Sequence, residues 1–357
     1  MRSGRPLIQI TGFLNSYTSY GILTQRFAQH LLSSDNGVVV RPIHFQEPWG
    51  DPTRVSDAVK SLIVYKDLKA VDHELVFHTP NCNHRLLKKS GLAKKHRTLY
   101  TLWESSLVNP KHIKNIHRYY GQVIVPNQFC RDVLLKSGLE LPCFIAPLGG
   151  DTGDFYPDEQ KFPSDEVFTF LSAGRLAHGG VRKGVQEVIA IFKEAFPDNP
   201  NVNLRVKLHP DCPDFPEFDC RVNTIRNFMD KKSLLQWYRS GNAYVTIGAE
   251  GWGWHQQEAQ LCGLPLVGVN WGGLTNFFHG EEAKYTLKTA RDSEIYENTG
   301  KQPIVNRKDL IEKMRLMASR PAHTHRVGLG GISKALEWSW ERSRTEFLTT
   351  VNNILGL

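Results

Sequence analysis

The sequence predicts an α/β protein built as two doubly wound, Rossmann-like domains, and three observations predict it. At 357 residues the chain exceeds one ordinary domain and suits two of roughly 150–200 residues. From residue 7 onward short apolar runs alternate with amphipathic stretches, the pattern of parallel strands joined by right-handed helical crossovers. At Gly149-Gly150-Asp151 the alternation stops in an acidic, Pro-containing stretch, and it restarts at 167. A composition of 40% hydrophobic and 22% charged residues supports a packed core and excludes disordered, collagen-like and coiled-coil chains.

In the first half, 7–11, 38–45, 75–79, 98–103, 123–126 and 144–148 read as strands. Between them 23–32, 55–64, 86–93, 113–120 and 131–137 read as helices. The linker is expected over 149–164. Beyond it come strand 167–173, helix 183–196, strands 203–208 and 221–227, helix 233–240, strand 243–247, helix 255–262, strand 265–269 and helix 307–319. Asp230, three residues before Ser233, is placed to start the helix at 233–240. Ile332, Leu336, Trp340, Phe347, Val351 and Leu355 fall near multiples of 3.6, which predicts one closing helix over 332–357, long enough to cross back over both lobes. Domains are therefore expected at 1–152 and 165–331, followed by that crossing helix at 332–357.

No apolar run approaches the roughly 18–20 residues of a membrane span, and the first residues lead straight into a strand, so neither span nor signal peptide is expected. Six scattered cysteines without a Cys-x-x-Cys pair fit a reducing cytoplasm. His209, Cys212 and Cys220 lack a fourth ligand at zinc-like spacing and read as a loop with incidental thiols. Charge is uneven: residues 1–150 hold 19 Lys/Arg against 10 Asp/Glu, the remainder 25 against 26. Arg85, Lys88, Lys89, Lys94, Lys95, Arg97, Lys111, Lys114 and Arg118 make that half basic. A solvated face and a surface for an anionic partner, nucleic acid or acidic membrane, are both open readings.

Doubly wound sheets bind ligands beyond the carboxyl ends of their strands, so the loops there are the candidates. The most loaded is 249–267, a strand end, a glycine turn with Glu250, Gly251, Trp252, Gly253, Trp254 and His255, and a helix carrying Glu258. Its glycines let backbone approach a ligand closely, and the first-turn amides of the helix suit a phosphate. After the 167–173 strand, Gly174, Arg175, Gly179, Gly180, Arg182, Lys183 and Gly184 supply flexible backbone and positive charge, as a diphosphate requires. In the first half, Gly12 opens a loop containing Tyr17, His78 ends a strand, and Trp103 and Glu104 lie in Thr101-Leu102-Trp103-Glu104-Ser105. The Gly12 loop lacks Gly-x-Gly-x-x-Gly, which disfavours a dinucleotide site.

Glu250 and Glu258, seven residues between them, with a Glu-Gly-aromatic-Gly start and a Gly-Leu-Pro-Leu-Val finish, resemble the E-x7-E signature of the group 1 retaining nucleotide-sugar glycosyltransferases of GT-B fold. The resemblance spans nearly the whole chain and implies two Rossmann-like domains facing across a cleft, the first binding acceptor and the second the sugar nucleotide. It implies that Glu250 lies against the donor sugar and Glu258 hydrogen-bonds the ribose hydroxyls. Gly251, Gly253, Trp254, Gly174, Arg182 and Gly12 follow as donor-binding positions, and Arg175 and Lys183 match the family's Gly-Arg-Leu and Lys-Gly. His78 joins Glu250, Arg175 and Lys183 as a catalytic candidate, with Trp103, Glu104 and Tyr17 on the acceptor side. Trp254-His255-Gln256-Gln257 departs from the family's aliphatic-Pro run, which leaves the donor sugar undefined.

The expected reaction is transfer from a nucleoside diphosphate sugar to a hydroxyl with retention. No Asp-x-Asp occurs, and Arg and Lys are expected to replace a metal on the diphosphate, so neither metal nor cofactor is expected. The acceptor reads as a surface saccharide or lipid-linked molecule, with a hydroxylated base in DNA as the alternative. A sugar-nucleotide epimerase or hydrolase and a non-catalytic binder are further alternatives. A cytoplasmic location, or one peripheral at the inner membrane face, is expected.

Overall fold

The computed structural model describes residues 5–14, 19–34, 36–43, 55–64, 71–81, 91–158, 167–176, 181–210, 212, 219–290 and 293–357. The chain divides into two compact units: Met1–Trp103, Val108–Pro147 and Glu341–Leu357 form the first, Glu104–Leu107 and Leu148–Trp340 the second. For four residues after Trp103, therefore, the chain belongs to the second unit.

The first unit holds β1 (Leu7–Gly12), α1 (Ser19–Leu32), β2 (Gly37–Pro42), α2 (Asp57–Lys60), β3 (His73–Phe77), β4 (Arg97–Tyr100), α3 (Pro110–Tyr119), β5 (Gln122–Val125), α4 (Gln128–Lys136) and β6 (Cys143–Ile145). Its six strands form one parallel sheet in the order β2-β1-β3-β4-β5-β6. Both β3 and β4 are buried along their whole length, as expected of central parallel strands covered on both faces. Phe27 packs against Phe77, Tyr100 and Phe347 at centroid distances of 5.4, 4.9 and 4.1 Å, and the buried Tyr100 hydroxyl donates to the Ala146 carbonyl at 2.7 Å. Asn109 and Asn127 cap α3 and α4, each side chain accepting a first-turn amide.

The second unit holds β7 (Phe168–Gly174), α5 (Val185–Ala195), β8 (Val202–Leu208), β9 (Val222–Ile225), α6 (Lys231–Arg239), β10 (Ala243–Thr246), α7 (Trp254–Leu261), β11 (Leu266–Gly268), β12 (Gly280–Glu282), β13 (Tyr285–Thr289), α8 (Ser293–Tyr296), β14 (Lys301–Val305), α9 (Arg307–Ala318) and α10 (Pro321–Leu336). Helix α11 (Trp340–Leu355) then joins the first unit. The second parallel sheet runs β12-β11-β10-β7-β8-β9, and β13 pairs β14 in a separate antiparallel hairpin. The order reverses between β1 and β3 in one sheet and between β7 and β10 in the other. At such switch points the neighbouring loops diverge and leave a crevice at the carboxyl ends of the strands.

Four expectations need correction. The helix at 55–64 is the single turn α2, because Ile63 pairs as a bridge with Val40 and so extends the β2 edge. The one closing helix is two, α10 and α11. At the break the Trp338 carbonyl accepts from the Gly150 amide and from Gln257 Nε2, at 2.8 and 2.7 Å, so it is spent outside the helical ladder. The hairpin β13–β14 and strand β12 had no counterpart in the sequence reading. The basic run 181–183 forms a 3-10 turn ahead of α5, so Lys183 precedes the helix instead of opening it. Most of the helix expected at 86–93 and the last part of the linker, 159–164, lie outside the described residues.

Candidate functional site

Strands β7 and β10 flank the switch point of the second sheet, and the loops leaving them meet. The backbone of Gly248, just past β10, lies so close to the 181–183 turn that a Cβ there would sit 2.6 Å from Lys183 Cα and 2.7 Å from the Arg182 carbonyl oxygen. Only glycine lets the turn dock there. Docking brings Lys183 Nζ to Glu250 Oε1 at 2.7 Å, and Arg182 Nη1 to Glu250 Oε2 at 3.1 Å and to the Ala249 carbonyl at 2.6 Å. The Glu250 carbonyl also accepts from the Gly273 amide at 2.7 Å, which pins the loop.

Glu250 is 7% exposed. Burial alone would raise its carboxyl, but the charges and hydrogen bonds of Lys183 and Arg182 prevail and hold it at about 2, against an ordinary 4.5. Arg182 in turn is opposed by burial and favoured by Glu250 and Glu104, so its cation is strengthened. Its Nη2 lies 3.5 Å from Glu104 Oε1, and Glu104 Oε2 accepts from the Tyr296 hydroxyl at 3.0 Å. Burial first, and then the Glu104 charge, push the Tyr296 phenol well above its ordinary range, so it keeps its proton and donates.

On α7, Gly253 holds the capping position at φ 102°, a conformation that favours glycine. Glu258 Oε2 accepts from the buried Tyr238 hydroxyl at 2.7 Å, and the same hydroxyl meets His255 Nδ1 at 2.8 Å. Because the Tyr238 proton goes to the carboxylate, the His255 proton sits on Nδ1. Burial lowers the His255 pKa, although the Glu258 carboxylate 3.7 Å from Nδ1 favours the cation.

The structure thus unites Glu250, Arg182 and Lys183, with Gly251 and Gly253 buried in the same loop. Gly174 ends β7, and a Cβ there would collide with Val185. Arg175 follows it, half-buried. Trp254 has a packing role: its Nε1 donates to the Gly149 carbonyl at 2.9 Å and its ring packs on Trp340. The departures from the family pattern are locked as well, Gln256 onto Thr246 Oγ1 at 3.0 Å and Gln257 onto Trp252 Nε1 at 2.9 Å.

In the first unit, Gly12 and His78 stand at the β1–β3 switch point. His78 Nδ1 accepts from the Thr79 amide at 2.8 Å, and its ring packs on Phe13 at 4.9 Å. Gly12 has no room for a side chain beside Thr24. Trp103, expected on the acceptor side, is a core residue only 1% exposed. Glu104, expected beside it, belongs to the second unit and faces Arg182. Tyr17 lies outside the described residues. Sequence reasoning missed Gly248, Tyr296 and Tyr238. Gly248 adjoins the quoted motif and the two tyrosines carry no local signal. Among the described residues no three His, Cys, Asp or Glu side chains come together as a metal site, and no helix is long and apolar enough to cross a membrane.

No protein-family model and no curated protein matches the chain. Solved structures do. TarM, known from S. aureus, is similar at a TM-score of 0.57 and 12% identity over 77% of this chain and 54% of TarM. The pneumococcal O-GlcNAc transferase GtfA, solved with UDP and GlcNAc, is similar at 0.56 and 14% identity over 80% of this chain and 57% of its own. This chain thus spans little more than half the length of either. A trehalose-6-phosphate synthase studied for glycosyltransfer with retention is similar at 0.59 and 10% identity, over 97% of this chain and 99% of its own. These likenesses establish the GT-B fold.

Proposed function

We propose that the chain is a retaining glycosyltransferase whose second unit binds a nucleoside diphosphate sugar at the β7–β10 switch point. The observation that carries the reading is the buried Glu250 carboxylate held between Lys183 and Arg182 at the carboxyl ends of these strands. The E-x7-E pattern and the UDP and sugar ligands of the fold neighbours support it. In this reading Lys183, Arg182 and Arg175 stabilise the leaving diphosphate electrostatically as the glycosidic bond lengthens, in place of a metal. Glu250 lies against the sugar, and Glu258, aimed by Tyr238, takes the ribose hydroxyls. His78 is the catalytic candidate of the first unit, and Gly12 is a donor-binding position. The acceptor is a surface saccharide or a lipid-linked molecule, met in the cytoplasm or at the inner membrane face.

A thermal-shift screen of UDP-, GDP-, ADP- and TDP-sugars in EDTA tests this. A ligand at 100 times its Kd adds about 2.7 kcal/mol of stability. Release of nucleoside diphosphate only on adding an acceptor separates a transferase from an epimerase, a hydrolase or a binder. A strict need for magnesium or manganese overturns the metal-free part.

A further inference from the structure

Two carboxylates hold Arg182. Glu250 takes one side of the guanidinium at 3.1 Å and Glu104 the other at 3.5 Å, while Lys183 also binds Glu250. The four formal charges cancel. Two of the cations that the loop's sequence offers to a diphosphate, Arg182 and Lys183, therefore sit in a cluster whose charges balance.

The two carboxylates are held differently. Glu250 is deeply buried with both oxygens engaged by cations. Glu104 is more exposed, makes the longest of the ion-pair contacts, and lies on the four-residue excursion 104–107. That excursion is anchored by its backbone and its serines. Gln302 Nε2 donates to the Glu104 carbonyl at 2.8 Å, Ser105 Oγ to the Thr299 carbonyl at 3.0 Å, and the Ser106 amide to the Lys301 carbonyl at 3.0 Å. Tyr296, which binds the carboxylate itself, precedes Glu297 and Asn298 at φ 51° and 56°, left-handed conformations that side chains other than glycine rarely take. Such strain is maintained only where the surroundings over-determine it.

We propose that Glu104 is an internal competitor at the donor site: its carboxylate occupies the face of Arg182 that a phosphate needs, and so sets the affinity for the nucleoside diphosphate. This rests on the function proposed above and deepens it. Weaker retention of the diphosphate would favour its release as product, a step that limits many transferases with moving loops.

Glu104→Gln tests the charge alone, because the amide keeps the shape, can still accept from Tyr296, and leaves the backbone anchors in place. Titration calorimetry with UDP, GDP and ADP, each beside its nucleoside, compares the variant with the wild type. The expected result is roughly tenfold tighter binding of the diphosphate, the effect of one charge a few ångströms away in a partly buried site. The neutral nucleoside is expected to bind unchanged. Glu104→Asp, which withdraws the charge by one methylene, is expected to fall between, and it carries the test if the Gln variant fails to fold. A gain in affinity is a result that structural damage does not produce. Unchanged or weaker diphosphate binding by folded variants overturns the inference and leaves the proposed function standing. If neither wild type nor variant binds any of these three diphosphates or TDP, both fall.

Discussion

Glu250 is a carboxylate that burial disfavours and two cations maintain. Its pKa falls on folding from 4.5 to about 2, so its share of stability is fully present above 4.5 and disappears as pH drops through 2. That share is on the order of 3 kcal/mol. Glu250→Gln leaves two half-buried cations short of their partner, a loss of about 2–4 kcal/mol at neutral pH, solvent screening of Lys183 reducing the penalty of a fully buried pair. Urea unfolding at pH 6 and pH 3 should show the gap between wild type and variant narrowing at the lower pH; a constant gap would contradict the depressed carboxyl. From sequence, Glu250, Arg182 and Lys183 were legible, since glycines and bases at strand ends have a local chemical meaning. Glu104 and Tyr296 were not legible as partners, because they meet across 192 positions and only the folded chain brings them together.

Among the elements, the short turn before α5 decides where the cations go. Periodicity alone ran the helix from 183, yet α5 begins at Val185 behind the left-handed Gly184, and this aims Arg182 and Lys183 back toward β10. Gly248→Ala should displace that turn, since the new Cβ would meet backbone and not a yielding side chain. A stability loss of about 1–3 kcal/mol, with diphosphate binding weakened more than the melting temperature alone explains, is expected from calorimetry. Wild-type binding in that variant would show the turn to be unimportant. Strands β7 and β10, and the apolar ends of β3 and β4, were legible because strands buried on both faces read largely as apolar runs. Hairpin β13–β14 was not: β13 is exposed throughout, so burial imposes no pattern on Tyr-Thr-Leu-Lys-Thr.

For the whole molecule, the basic excess of residues 1–150 gathers in part on one surface of the first unit. Lys94 and Lys95 are exposed on the 3-10 turn, where Lys94 Nζ donates to the His117 carbonyl, and Lys111, Lys114 and Arg118 are exposed along α3. Lys88 and Lys89 lie outside the described residues. If this surface meets an anionic acceptor, binding to duplex DNA or to anionic vesicles should fall steeply with salt, for DNA with a logarithmic slope of about −0.9 per phosphate neutralised. Replacing Lys94, Lys95, Lys111 and Lys114 by Ala should flatten that slope by several units and leave nucleotide binding intact, because the donor loops belong to the other unit. No binding to either at low salt would make the surface one of solvation only.

The α/β class, the two successive sheets, the glycine-rich loops at strand ends and the E-x7-E spacing were determined by the sequence itself. Each is written in local periodicity or in residues a few positions apart. Only the tertiary structure decided strand order, and hence which two loops share a switch point. It also decided that Trp103 is core, that Trp254 bonds the Gly149 carbonyl, and that Arg182 and Lys183 of the diphosphate loop are already paired with carboxylates. These depend on pairings between residues tens to hundreds of positions apart, whose energies arise only once the sheets assemble and exclude water.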